Sequence, residues 1–262
     1  MVTAVPRFGE LAAPARWRTA DFISDLHLQA AEPATFEAWR RYMATTPAEA
    51  VFILGDLFEV WAGDDAAQAP GFEADCAGVM RQAARRLDLF FMHGNRDFLV
   101  SADFMALSGT ILLADPTVLD FAGARWLLTH GDMLCLDDTD YMAFRAQVRA
   151  PEWQRAFLAR PLAERLAVAQ DLRRQSQARK HSGAVYADVD GPAACEWLRA
   201  ARAGTLIHGH THRPADHALG ASGSGWQRFV LSDWEADAAP PRAQALRLTA
   251  HEAGGLRRIQ VL

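Results

Sequence analysis

Seven side chains in this sequence are of the types that bind divalent cations, and they recur at the ends of short apolar runs. Asp25 and His27 lie two residues apart. Asp56 follows Gly55, Asn95 follows Gly94, and His130 precedes Gly131. His208 and His210 repeat the two-apart spacing further on. In an extended strand, residues two apart point to the same side, so each such pair can serve one centre. Two carboxylates and four imidazoles gathered without a cation would cost several kcal/mol in desolvation and misplaced charge. A cation removes that cost. Seven donors exceed the four that a tetrahedral zinc takes, so two metals sharing a carboxylate fit better. Mixed His, Asp and Asn donors suit manganese, iron or zinc rather than calcium.

Such residues need a scaffold that brings distant strand ends together. The runs Ala20–Ile23, Val51–Leu54, Leu89–Met92, Trp126–Thr129 and Thr205–Ile207 read as buried strands, each leading into one of the polar groups. Pro33–Ala44 and Gly71–Leu87 read as amphipathic helices between them. Alternating strands and helices predict an α/β layered fold with its site at the carboxyl ends of the strands. The interval from Asp137 to Gly204 is Ala-, Arg- and Leu-rich, and Pro151 and Pro161 stand at first-turn positions. It reads as three or four helices inserted into the main fold. The predicted organisation is therefore a core over 19–136, a helical lid over 137–204 and the rest of the core over 205–262. Residues 1–18, rich in Ala and Pro, read as a loose lead-in.

The 262 residues are 50% hydrophobic and 23% charged, which excludes a disordered or collagen-like chain. No apolar run approaches the roughly 20 residues of a membrane span, and the first residues lack the apolar block of a secretory signal. Cys76, Cys135 and Cys195 are widely spaced, as expected of reduced thiols in a cytoplasm. A net charge of −5 gives no general attraction for nucleic acid, and no basic groove interleaved with aromatics suggests a nuclease. Between residues 141 and 183, however, nine basic residues face three acidic ones. That stretch is either a solvated face or a contact for the anionic membrane surface. A Walker loop, a Gly-x-Ser-x-Gly elbow and a His-Glu-x-x-His helix are all absent from the sequence.

The ordered set Asp-x-His, Gly-Asp, Gly-Asn, His-Gly-Asp and Gly-His-x-His resembles the calcineurin-like metallophosphoesterase superfamily. The longer stretches Ile23–Leu28, Ile53–Asp65, His93–Leu99, Thr129–Asp138 and Ile207–Pro214 resemble its UDP-2,3-diacylglucosamine diphosphatase family, of lipid A biosynthesis in Gram-negative bacteria. The resemblance implies a four-layer αββα sandwich with an inserted helical lid. It implies a pyrophosphatase that converts UDP-2,3-diacylglucosamine to UMP and 2,3-diacylglucosamine 1-phosphate (lipid X) with two manganese ions. A hydroxide held between the metals would attack the α-phosphorus. By the same resemblance, Asp25, His27 and His210 hold the first metal and Asp56 bridges, while Asn95, His130 and His208 hold the second. Asn95, Arg96 and His130 are the catalytic candidates; Asn95, Arg96, Asp138, Ser176, Lys180 and His208 are the substrate contacts.

Arg96 stands where protein-phosphatase relatives carry an acid histidine. A guanidinium cannot protonate an alkoxide, but a phosphate leaving group needs little protonation, so Arg96 favours pyrophosphate over phosphomonoester cleavage. Its alternative role is a simple ion pair with Asp97. Tyr141, Met142, Phe144, Val148, Trp153, Phe157 and Leu158 form a helical stripe that could pack as core or receive acyl chains. The expected location is peripheral, on the cytoplasmic face of the inner membrane, held by the basic lid. Two other functions fit the same residues less well: a diphosphatase or phosphodiesterase acting on a soluble nucleotide-sugar, and a metal-free binding scaffold.

Overall fold

A computed structural model describes residues 5–181, 187–221, 223–250 and 255–262, without the side chains of 175–181. Among the described residues, twelve strands form two six-stranded sheets. One sheet holds β2 (Thr19–Ile23), β3 (Ala50–Leu54), β4 (Asp88–Met92), β5 (Ile111–Leu113), β11 (Gln244–Thr249) and β12 (Leu256–Gln260), in the order β12-β11-β2-β3-β4-β5. The other holds β1 (Gly9–Ala12), β6 (Thr117–Phe121), β7 (Ala124–Leu128), β8 (Thr205–His208), β9 (Ala215–Leu219) and β10 (Trp226–Val230), in the order β1-β6-β7-β8-β10-β9. Helices α1 (Pro33–Thr45), α2 (Phe72–Ala84) and α3 (Ala102–Ser108) cover the first sheet. Helix α7 (Gly191–Ala201) covers the second. Between β7 and β8 the chain runs through α4 (Thr139–Val148), α5 (Pro151–Leu158) and α6 (Leu162–His181).

Strands β2, β3 and β4 are parallel neighbours and almost wholly buried, as parallel strands covered on both faces must be. Alternation divides their side chains between two cores. Phe22, Phe52 and Phe90 are register partners and stack at 5.1 and 4.7 Å between the two sheets. Ile23, Ile53 and Phe91 point the other way, into the core beneath α1 and α2. Because these strands run in one direction, Ser24–His27, Gly55–Leu57 and His93–Asp97 all emerge at one rim. Strands β7 and β8 are likewise parallel and deliver His130 and His208 together.

Three expectations need correction. Residues 1–18 are not all a loose lead-in: Gly9–Ala12 pairs with Thr117–Asp120 as an edge strand, and Trp17 is buried against Phe52, Phe90 and Phe121. Four residues at an edge carry too little alternation to register in the sequence, and the anchor is one ring beyond them. Helix α7, grouped above with the lid, instead packs Trp197, Leu198 and Ala201 against Val118, Leu127 and Leu206 of the second sheet. It is capped by Asp190, which accepts from Ala193 N at 2.7 Å. The basic stretch also does not face solvent as a whole. Arg145 pairs with Asp132, Arg165 with Asp65 and Arg173 with Glu59, and Arg149 donates to the Gly94 carbonyl at 2.9 Å. These arginines fasten α4 and α6 to the core. The apolar stripe divides as well: Val148 and Phe157 are buried, whereas Phe144 and Leu158 are exposed.

Candidate metal centre

The strand ends meet in a buried cluster. Asp25, His27 and His212 each offer a ligand atom within 4.8 Å of the others, and so do Asp25, Asp56 and His130. Asp25 belongs to both groups. Nε2 of His27 lies 3.1 Å from Nε2 of His212, which is 3.4 Å from Asp25 Oδ1. Asn95 Oδ1 stands 2.9 Å from both His130 Nε2 and His210 Nδ1. Asp56 Oδ1 is 3.8 Å from His130 Nε2.

The backbone is bent to achieve this. Asp25, His27, Asp56, His210 and His212 all have positive φ, between 48° and 69°, a region that costs energy for any residue with a side chain. Two glycines let the bent loops touch. A Cβ on Gly94 would overlap the Asp56 carboxylate and backbone N, and one on Gly209 would overlap Asp25 and Ser24. Buried hydrogen bonds then fix orientation. Asp97 accepts from Asp56 N, Leu57 N, Phe58 N and Gly94 N at 3.3, 2.7, 3.4 and 2.8 Å, joining two of the loops. Its carboxylate is thus a backbone clamp rather than merely a counter-ion for Arg96. Asp56 Oδ1 accepts from Arg96 N at 2.8 Å. His130 Nδ1 donates to the Leu54 carbonyl at 2.9 Å, because a carbonyl can only accept. Nε2 is left facing the cluster, the nitrogen that a metal would take on losing its proton.

The register of the last histidines differs from the sequence reading. His208 belongs to neither group of converging ligand atoms. Its Nδ1 donates to Gly209 O at 2.8 Å, the ring lies against the Gly131 backbone, and its charged neighbours include Arg228 and Asp188. His212 stands with Asp25 and His27, and His210 stands beside Asn95. Two-apart alternation holds along β8 but fails at Gly209, where the chain leaves the strand and His210 takes φ 69°. The sequence did hold a signal: in the pattern Gly-His-x-His, the histidine preceded by Gly is His210.

Asp25, His27, Asp56, Asn95 and His130 lie together at this rim. The Asp138 carboxylate caps α4, accepting from Tyr141 N at 3.1 Å. Ser176 and Lys180 lie in α6, with side chains outside the described residues. Sequence reasoning missed several supporting groups. Asp132 accepts from Tyr141 Oη at 2.6 Å and from Arg145 Nε at 2.7 Å. Glu59 Oε2 stands 3.0 Å from His27 Nδ1.

Electrostatics set the cluster's demand. Burial works against charge at His130, but the carboxylates of Asp56, Asp132 and Asp25 raise it to about 9. Burial also opposes charge at His27, yet Glu59, Asp56 and Asp25 raise it. Burial lowers His210 to about 4, with the His130 charge adding to the effect. Although burial resists it, His212, His130 and His27 hold Asp25 below the ordinary carboxylate range. Carboxylates at zero and 2% exposure thus draw positive charge onto His27 and His130. Divalent cations meet the same demand, and the Asp, His and Asn donors are those that manganese, iron and zinc accept.

A family model described as calcineurin-like phosphoesterase matches residues 19–214. UDP-2,3-diacylglucosamine hydrolase of Chromobacterium violaceum is 48% identical over 222 residues, 81% of this chain and 89% of that protein. The protein of the same name from Xanthomonas axonopodis pv. citri is 47% identical over 230 residues, 82% of this chain and 91% of that one. In Bordetella pertussis it is 44% identical over 224 residues, covering 84% and 87%.

Proposed function

The chain belongs to the calcineurin-like phosphoesterase family, and from that premise we propose that it hydrolyses the pyrophosphate of UDP-2,3-diacylglucosamine, giving UMP and 2,3-diacylglucosamine 1-phosphate. The observation that carries the reading is the cluster of Asp25, His27, Asp56, Asn95, His130, His210 and His212 at one rim. Relatives of that activity match most of the chain. Asp25, His27 and His212 would hold one divalent cation, and Asn95, His130 and His210 the other, with Asp56 beside them. Manganese is the proposed metal. Such a pair supplies Lewis acidity, lowering the pKa of bound water and neutralising phosphoryl charge.

The chain's own groups do the rest. His130, oriented by the Leu54 carbonyl, keeps Nε2 directed into the site. Asn95 is fixed between His130 and His210, and its amide oxygen stays on the reacting side. Arg96, its backbone held by Asp56, supplies permanent positive charge for the pyrophosphate oxygens. Cleavage releases a phosphate, so the site needs no strong acid on the leaving-group side. Helices α4–α6 would form the lid, with Asp138 toward the sugar and exposed Phe144, Leu158 and Leu172 toward the acyl chains.

No helix among the described residues is long and apolar enough to cross a membrane. We place the enzyme at the inner-membrane surface, with exposed lid cations such as Arg155 and Arg174 toward anionic headgroups. Co-sedimentation with anionic vesicles, reversed by high salt, is the expected result. The decisive experiment supplies manganese, UDP-2,3-diacylglucosamine and oxygen-18 water, and identifies products by mass spectrometry. Label in UMP is expected; label in the sugar phosphate overturns attack at the α-phosphorus. Equal turnover of a UDP-sugar without acyl chains overturns the lipid substrate.

A further inference from the structure

Glu59 lies outside the metal ligands yet touches one of them. It sits five residues beyond β3 with only 8% exposure. Oε2 stands 3.0 Å from Nδ1 of His27. Oε1 accepts from Arg173 Nε, on α6, at 2.6 Å. His27 Nδ1 has no well-aligned hydrogen-bond acceptor among the described residues, so this carboxylate is its close charged neighbour, approached somewhat off axis. A carboxylate at that distance requires a proton on Nδ1. In the neutral form that binds a metal, the lone pair then resides on Nε2, the nitrogen that faces His212. Outer carboxylates on metal-binding histidines act in this way, fixing tautomer and ring orientation, and their loss typically weakens metal binding 10–100-fold.

The second oxygen adds a connection. Arg173 and Glu59 are 114 residues apart, and the bond joins α6 to the group that orients His27. Arg165, on the same helix, is anchored separately to Asp65 and the Ala62 carbonyl. The helix therefore stays docked through Arg165 while Arg173 reaches inward. We infer that Glu59 is the positioning residue of His27 and that Arg173 latches α6 to it, coupling lid docking to metal affinity. The inference rests on the proposed metal-dependent hydrolase and deepens it. By linkage, a latch that tightens metal binding is itself tightened when metal binds.

The test measures manganese dissociation constants by electron paramagnetic resonance titration, alongside trypsin cleavage of α6 with and without manganese. In the wild type, two manganese ions bind per chain and slow the cleavage. Glu59→Gln should weaken one of the two sites 10–100-fold and leave the other within twofold. Its metal-free melting temperature should stay within about 3 °C. Arg173→Met should weaken the same site about 3–10-fold and speed cleavage even without metal. The double variant should match Glu59→Gln within twofold, because both changes act through one carboxylate. Wild-type manganese affinity in Glu59→Gln overturns the positioning role. Wild-type affinity and cleavage in Arg173→Met overturn the latch, and they do so even if Glu59→Gln fails to fold. If the wild type binds two manganese ions but leaves UDP-2,3-diacylglucosamine intact, the substrate reading fails while the dissociation constants still decide the positioning role.

Discussion

Exchanging the roles of His208 and His212 gives the sharpest prediction. The two side chains differ by four positions and share a residue type, but only His212 approaches Asp25 and His27. His212→Ala removes one of the three donors that lie within 4.8 Å of one another. Loss of a group that merely supports a ligand costs 10–100-fold in affinity, so loss of a ligand should cost about 100-fold or more, roughly 2.7 kcal/mol. His208→Ala removes a fully buried ring that bonds Gly209 O. Its cost is to the fold, about 2–4 kcal/mol for a large-to-small core change, or roughly 4–16 °C in a chain of this size. The assay pairs metal content by mass spectrometry with thermal melting. His212→Ala should keep its metal-free melting temperature within a few degrees and retain one tightly held manganese. His208→Ala should melt earlier but still carry two. The reverse pattern, with metal lost on changing His208 and retained on changing His212, would refute the register argued from β8.

The other predictions concern stability, metal and reactivity. Asp97→Asn leaves one oxygen for four backbone donors, so two N–H groups face an amide NH2. It should cost about 2–4 kcal/mol, seen as a fall of roughly 5–15 °C in melting temperature, with turnover reduced through the misplaced Asp56 loop. Chelation should abolish hydrolysis and lower the melting temperature; manganese at a hundred times its dissociation constant stabilises by about 2.7 kcal/mol, roughly 5–10 °C, and both effects should reverse on its return. Burial pushes Cys135 up to about 12 and raises Cys76 as well. A raised value keeps a thiol protonated until the pH approaches it, so at pH 8 a disulfide reagent should label the part-exposed Cys195 alone in the native protein and all three thiols after denaturation.

Arginine placement bears on the lid. A run of nine basic residues against three acidic ones reads in the sequence as a charged outer face. Arg145, Arg149 and Arg173 instead reach buried acceptors on the core, and Arg165 reaches the buried Ala62 carbonyl beside the exposed Asp65. Each carries a long apolar stem, and which end of its range the guanidinium occupies depends on acceptors scores of residues away. Charge composition constrains how many cations a segment has; it does not say which way they point.

What the sequence determined by itself is the chemistry and the frame. Short apolar runs closed by Gly and ending in Asp, Asn or His read as buried strands with polar ends. The set Asp25, His27, Asp56, Asn95 and His130 was therefore legible before any fold was known. Alternation at period two identified which residues share a face wherever the strand is regular. Tertiary structure decided everything that depends on leaving the strand. Positive φ at His210 and His212 turns the chain there, so that His212 is the histidine beside Asp25 and His27, and no periodic argument extends through such a turn. Pairing of Gly9–Ala12 with β6, packing of α7 on the second sheet and the contact of Glu59 with His27 all join segments far apart in the chain. Their free energy comes from burial and hydrogen bonding across that distance, which local patterning does not encode.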